Sequence, residues 1–161
     1  MNEIKPIRYL FTDGSVNPQT NIGFGAYLLI EQLEYNSSLN NNMKIKMFEN
    51  TSSTKLELET LLWAFESENL EEYKVIVYTD CQNIIGLNDR RSRFETKAYK
   101  NGKNELIKNH QEYKCFYNFI DSIECEFIKV KGHNKKSAKT EIDDIFTLVD
   151  KATRKKLREF N

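Results

Sequence analysis

The chain has 161 residues, room for one domain around one core and too few for two full domains. Hydrophobic residues make up 39% and charged residues 30%, which describes a soluble globular protein rather than a membrane or disordered one. With a formal net charge of 0 the whole protein is no polycation, so any nucleic-acid footprint has to be a local patch.

Cys81, Cys115 and Cys125 are odd in number and lack CxxC spacing, which points to a reducing compartment and away from a zinc site. The first strand is expected within about seven residues of the N-terminus, leaving no room for a signal peptide. No apolar run approaches the roughly 20 residues of a membrane span. The expectation is a soluble, cytoplasmic protein.

The apolar-rich run Ile7 to Phe11 ends in Thr12-Asp13-Gly14-Ser15, a strand that places a carboxylate at its tip before a glycine turn. Asp-Gly is also ordinary turn chemistry. After the polar turn 16–21, residues 23–30 read as a second strand whose glycines mark a close approach of backbone or ligand. Residues 34–42 are loop by composition, and 43–48 alternate as a half-exposed edge strand. Three strands joined by short turns form an antiparallel meander.

Leu58, Leu61, Leu62 and Phe65 then fall at helical spacing, giving a helix over about 55–69, with Thr54-Lys-Leu-Glu57 as a capping box. Lys74 to Thr79 is a strand covered on both faces, followed by Asp80 and a short helix over 81–87. Residues 88–103 are polar and basic. Helical spacing resumes over 105–120 through Leu106, Tyr113, Phe116, Tyr117 and Ile120. A fifth strand spans 124–130, a basic loop 131–139, and a last helix carries Ile142, Ile145, Phe146, Val149 and Ala152. The order predicts one α/β domain over 1–161, a mixed sheet with helices packed on it.

Two strands end alike, Phe11-Thr-Asp13 and Tyr78-Thr-Asp80. A right-handed crossover would make these strands parallel neighbours and set the two carboxylates side by side. Such a pair resists ionising unless a cation lies between them, and a hard divalent ion held by oxygen is the simple resolution. Each acid also has a purely structural reading: Asp80 as a helix N-cap and Glu57 as the capping-box glutamate.

The chain resembles the type 1 ribonuclease H family along nearly its whole length. The resemblance rests on Thr12-Asp13-Gly14-Ser15 with Asn17-Pro18 and Gly23-Phe-Gly25, on Ser53-Thr-Lys-Leu-Glu57, on Tyr78-Thr-Asp80-Cys81-Gln82, and on Val130-Lys-Gly-His133. It implies a ribonuclease H-like fold: a five-stranded sheet, three strands antiparallel and then two parallel, with helices on both faces. It also implies an endonuclease that cuts the RNA strand of RNA/DNA hybrids and leaves 5′-phosphate and 3′-hydroxyl ends. Asp13, Glu57 and Asp80 would be catalytic metal ligands for two Mg²⁺ (or Mn²⁺) ions roughly 4 Å apart. Glu59 is the rival of Glu57 but would face away.

The fourth carboxylate is open between Asp143, at the family's spacing from the histidine, and Asp150, whose setting before Arg154 fits better. Asp143 could instead cap the helix, and Asp150 could be an exposed i,i+4 pair with Arg154. His133 would assist proton movement or product departure.

The implied substrate contacts are Gly14, Ser15, Asn17, Ser53, Thr54 and Gln82, with the hybrid duplex as partner of a monomeric protein. Residues 90–114, eight Lys or Arg against three Glu, occupy the place of the family's basic protrusion. They could equally be a solvated face. The alternatives are another nuclease of the same fold (an exonuclease or a resolvase) or a catalytically silent hybrid-binding domain. The Gly-Ser after Asp13 counts against the exonucleases, which carry Asp-x-Glu there.

Overall fold

The computed structural model describes residues 4–131 and 140–161. Five strands form one sheet in the order β3-β2-β1-β4-β5. They are β1 (Ile7–Asn17), β2 (Ile22–Ile30), β3 (Lys44–Phe48), β4 (Lys74–Thr79) and β5 (Glu124–Lys129). β1 is antiparallel to β2 and β2 to β3, whereas β1–β4 and β4–β5 are parallel. This is the expected mixed sheet.

Alternation along the central strands splits the apolar residues between two cores. Leu10, Tyr27, Val75 and Val77 face α1 (Ser53–Ser67) and α4 (His110–Ser122), joining Leu58, Leu61, Phe65 and Phe116. Phe11, Leu28 and Tyr78 face α5 (Glu141–Phe160), joining Ile145, Phe146 and Val149. Helices therefore cover both faces, as expected.

Several local expectations are corrected. β1 does not turn at Asp13-Gly14: it continues to Asn17 because pairing with β2 runs on through Asp13↔Ala26 and Gly14↔Gly25. The chain reverses after Asn17, where Asn21 adopts φ 57° and its N–H donates to the Asn17 carbonyl at 2.9 Å. Pairing of β1 with β4 ends at Phe11↔Tyr78. Asp13 is thus the end of the parallel ladder, not of its own strand.

The β2 glycines make room for helix α1 rather than for a ligand. A Cβ on Gly25 would fall 2.0 Å from Thr60 Oγ1, and one on Gly14 would fall 2.8 Å from Leu56 Cγ. These close approaches seat the first turns of α1 against β1 and β2.

Helix α1 is capped by Ser52, which accepts from the Lys55 N–H, so the Thr54–Glu57 box is not formed. Residues 37–42, expected as loop, make a 3₁₀ turn that buries Leu39. The short helix after Asp80 spans only Gln82–Ile85 (α2), and α3 (Leu87–Thr96) occupies much of the stretch expected to be polar and basic. α4 begins at His110, not near Glu105, because Ala98, Tyr99, Asn104 and Asn109 all adopt positive φ. Leu106 consequently lies exposed. The Asn101 carbonyl side chain holds this loop by accepting from the Lys103 and Glu105 N–H groups.

Candidate active site

The β1–β4 register places the site. Asp13 and Asp80 each lie two residues beyond the last pair, Phe11↔Tyr78, and so stand level at the end of the parallel ladder. Past that end β1 has no β4 neighbour, and Glu57 fills the gap from the first turns of α1. Its Oε1 accepts from the Gly14 N–H at 3.1 Å, a backbone donor that a longer β4 would have taken. Carboxylate oxygens of Asp13, Glu57 and Asp80 all come within 4.8 Å of one another. Asp150 approaches from α5 on the opposite face, in contact range of Asp13.

These side chains open on a cavity of about 310 Å³ lined by Gly14, Ser15, Ser53, Thr54, Cys81 and Arg154 as well as the four acids. Of the expected site residues, Asp13, Glu57, Asp80, Asp150, Gly14, Ser15, Ser53 and Thr54 are brought together here. Asn17 and Gln82 are not. The Asn17 side chain accepts from the Gln19 N–H and donates to Asn161, and Gln82 accepts from Lys129 Nζ at 2.9 Å. His133 lies outside the described residues.

The acids with competing readings make the following contacts. Asp143 closes a capping box with Thr140 at the start of α5. Glu59 accepts from Thr51 Oγ1 at 2.6 Å and does not line the cavity. Asp80 is not the N-cap of α2: that position is Cys81, whose own N–H is bonded to Thr79 Oγ1.

Asp13 is buried with only 3% of its surface exposed, and Glu57 with 8%. Burial, reinforced by the neighbouring Asp80 and Asp150 carboxyls, pushes the Asp13 carboxyl up to about 8. Burial, then Asp13 and Asp80, drives Glu57 well above the usual carboxylate range, and burial with Asp150 raises Asp80. Glu57 Oε2 is buried without a hydrogen-bond partner among the described residues. Among the described residues the one cation lining the cavity is Arg154, bound to Asp150 at 3.0 Å and itself mostly exposed. Three convergent carboxyls with raised protonation and an orphaned oxygen form a donor set that fits a hard divalent cation.

Two features escaped the reading of the sequence. Arg154 lines the cavity, where the sequence offered it only as part of Asp150's setting or as its exposed i,i+4 partner. Thr153, fully buried in the apolar stripe of α5, bonds to Ser15 at 2.9 Å. A small polar residue between Val149 and Leu157 was its visible signal. A second polar groove, of about 450 Å³, lies between the N-terminal ends of α1 and α4. Asn50, Thr51, Ser52, Lys55, Lys108 and His110 are among the residues lining it.

Comparison with known proteins agrees with this architecture. The chain superimposes on a solved structure of the foamy viral protease-reverse transcriptase in complex with dsDNA. The TM-score is 0.62 at 10% identity, over 91% of this chain and 92% of that one. The fold is the ribonuclease H-like class of mixed α/β sheet, with acids gathered where its parallel strands end. The model of the RNase H family matches residues 6–152. A curated Ribonuclease H of Caldicellulosiruptor saccharolyticus is 26% identical over 99 residues, 60% of this chain and 68% of that protein. The chain belongs to the RNase H family, and that membership supports a hydrolase of the nuclease class. No helix among the described residues is long and apolar enough to cross a membrane.

Proposed function

We propose that this protein is an endoribonuclease that hydrolyses the RNA strand of RNA/DNA hybrids with divalent cations held by Asp13, Glu57, Asp80 and Asp150. The observation that carries the reading is the meeting of buried Asp13 and Glu57 with Asp80 at the end of the parallel ladder, with no buried cation among the described residues to balance them. When bound, Mg²⁺ or Mn²⁺ supplies activation of the attacking water and stabilisation of the leaving oxygen. Products with 5′-phosphate and 3′-hydroxyl ends are the outcome in this reading.

The chain's own residues set the rest of the chemistry. Asp13 is fixed on a strand paired on its β2 side, so its carboxyl needs no reorganisation to present its oxygens. Glu57 is held at one oxygen by the Gly14 N–H, and its Oε2 is buried with no hydrogen-bond partner among the described residues. Arg154 steadies Asp150 and offers positive charge at the cavity mouth, where a phosphate would arrive. Ser53 and Thr54 present hydroxyls from the exposed first turn of α1. The groove holding Lys55 and Lys108 suits phosphates of the paired strand. His133 is retained in the proposal as a group for proton movement, and Asn17 and Gln82 as outlying contacts.

The test is incubation of a hybrid carrying end-labelled RNA with the protein in Mg²⁺ or in chelator. Internal RNA cuts are expected with Mg²⁺ and none with chelator, with little cutting of RNA–RNA or DNA–DNA duplexes. A hybrid left intact under several divalent metals would overturn the reading.

A further inference from the structure

Ser15 and Thr153 form one hydrogen-bonded chain whose direction is fixed by proton counting. Each hydroxyl has a single proton to give. Thr153 Oγ1 donates to the Asp150 carbonyl oxygen at 2.9 Å, and a carbonyl can only accept. The proton in the 2.9 Å contact between the two hydroxyls therefore comes from Ser15. Thr153 is fully buried, so water does not compete for it. Ser15 lines the catalytic cavity beside Asp13 and Gly14. With its proton turned toward α5, it faces that cavity with lone pairs only.

We infer that Ser15 is a hydrogen-bond acceptor that reads a ribose 2′-hydroxyl beside the scissile bond, and that Thr153 is the positioning residue that fixes it in this sense. The inference rests on the proposed cleavage of RNA in hybrids and deepens it. A 2′-hydroxyl has a proton to give to Ser15; deoxyribose and a phosphodiester oxygen have none. A free serine would have bonded either kind of group. The selectivity is thus built into α5, one turn beyond Asp150, rather than into the serine alone.

The experiment places single 2′-deoxy nucleotides one at a time across the cut region of an RNA strand annealed to DNA. Cleavage is compared for the intact protein and for Thr153→Val, Thr153→Ser and Ser15→Ala. At one position the wild type should lose about fivefold in kcat/KM on loss of the 2′-hydroxyl, the size of one neutral hydrogen bond. In Thr153→Val and Ser15→Ala that penalty should fall below about twofold, while penalties at the other positions stay as in wild type. Thr153→Ser should keep the wild-type pattern, because it restores the relay.

Anisotropy titrations of the same hybrids in Ca²⁺ supply a readout independent of turnover. An unchanged penalty in Thr153→Val, a lost penalty in Thr153→Ser, or a wild type indifferent to every 2′-deoxy substitution in both assays would overturn the inference. Cleavage of the all-ribose hybrid by wild type reads the proposed function separately. If it cuts but the position-specific pattern is missing, only the relay falls. If it fails to cut while binding retains the pattern, only the enzymatic reading falls.

Discussion

The acid-lined cavity and the basic stretch of α3 and α4 use charge in opposite ways. Residues 90–114 carry a net charge of +5 in the sequence. Arg90, however, donates to the carbonyls of Asn83 and Gly86 and to the Asn83 side chain. Arg91 makes a two-pronged contact with Asp121 and also bonds Glu95. Arg93 and Lys114 lie over the rings of Phe94 and Tyr99. Half of the eight cations thus hold α3 and its loop to α4, leaving the side chains of Lys97, Lys100, Lys103 and Lys108 for a ligand. In the cavity, by contrast, like charges face one another and Glu57 keeps an orphaned oxygen. Charge satisfied inside the chain builds the fold, and charge left unsatisfied marks the site.

The sharpest way to break this contrast is to remove one acid. Asp13→Asn should cut Mg²⁺-supported hybrid cleavage by at least about a hundredfold, the cost of losing a preorganised electrostatic group. The same change should stabilise the metal-free protein. Asp13 has an ordinary value of 3.8 and is pushed to about 8 in the fold. The stability its proton confers is complete below pH about 3.8 and drains away as pH rises through about 8. Melting curves in chelator should therefore show wild-type Tm falling across this window and a flatter profile for Asp13→Asn. Mg²⁺ should restore most at the alkaline end. Parallel pH profiles for the two proteins would show that Asp13 carries no such repulsion.

The two candidate fourth acids should separate just as cleanly. Asp150→Asn should cost activity on the order of a hundredfold. Asp143→Asn should leave turnover near wild type and lose at most about 1 kcal/mol of stability, the worth of a cap. If Asp143→Asn were the inactive variant, Asp150 would be only the i,i+4 partner of Arg154. A smaller effect is expected from the second groove. Lys55→Gln and Lys108→Gln should each weaken hybrid binding and lower the slope of log affinity against log salt by about one. An unchanged salt slope would remove that groove from the substrate path.

What the sequence made legible follows the same line. The strands could be read because hydrophobic period and strand-end chemistry are local, while their full order came from the family resemblance; Phe11-Thr-Asp13 and Tyr78-Thr-Asp80 pointed to level carboxylates before any register was known. The strand end at Asp13 was misread because Asp-Gly is turn chemistry, and nothing local reveals that β2 keeps pairing past it. Glu57 looked like a capping residue for the same reason; only the cap at Ser52 sets it beyond the first turn, over the Gly14 N–H. How much of the Arg90–Lys114 charge is engaged within the chain was not legible, because Asp121 lies 30 residues from Arg91 and long-range pairing leaves no trace in spacing. Asp150 was favoured over Asp143 by its local setting, and the box that Asp143 forms with Thr140 at the helix start is the capping contact its position at 140–143 had offered as the other reading. Thr153 was passed over, since a threonine in an apolar stripe usually bonds its own helix; here it does that and also bonds Ser15.

The least effect is expected where charge is most visibly satisfied. Arg91 sits between Glu95 and Asp121 on the surface, with N–O contacts of 2.8 and 2.6 Å. Water and salt screen such pairs, so a good geometry there contributes little to stability. Arg91→Gln should lower Tm slightly in dilute buffer. The difference should vanish near 1 M salt, where the Debye length is about 3 Å. Hybrid binding and its salt slope should be unchanged, because the guanidinium is already occupied by carboxylates of its own chain. A drop in the salt slope of Arg91→Gln would mean that Arg91 exchanges Asp121 for a phosphate when the substrate arrives. The basic stretch would then act as a ligand surface held in reserve by its internal partners, and the division between structural and functional charge would have to be drawn within each residue.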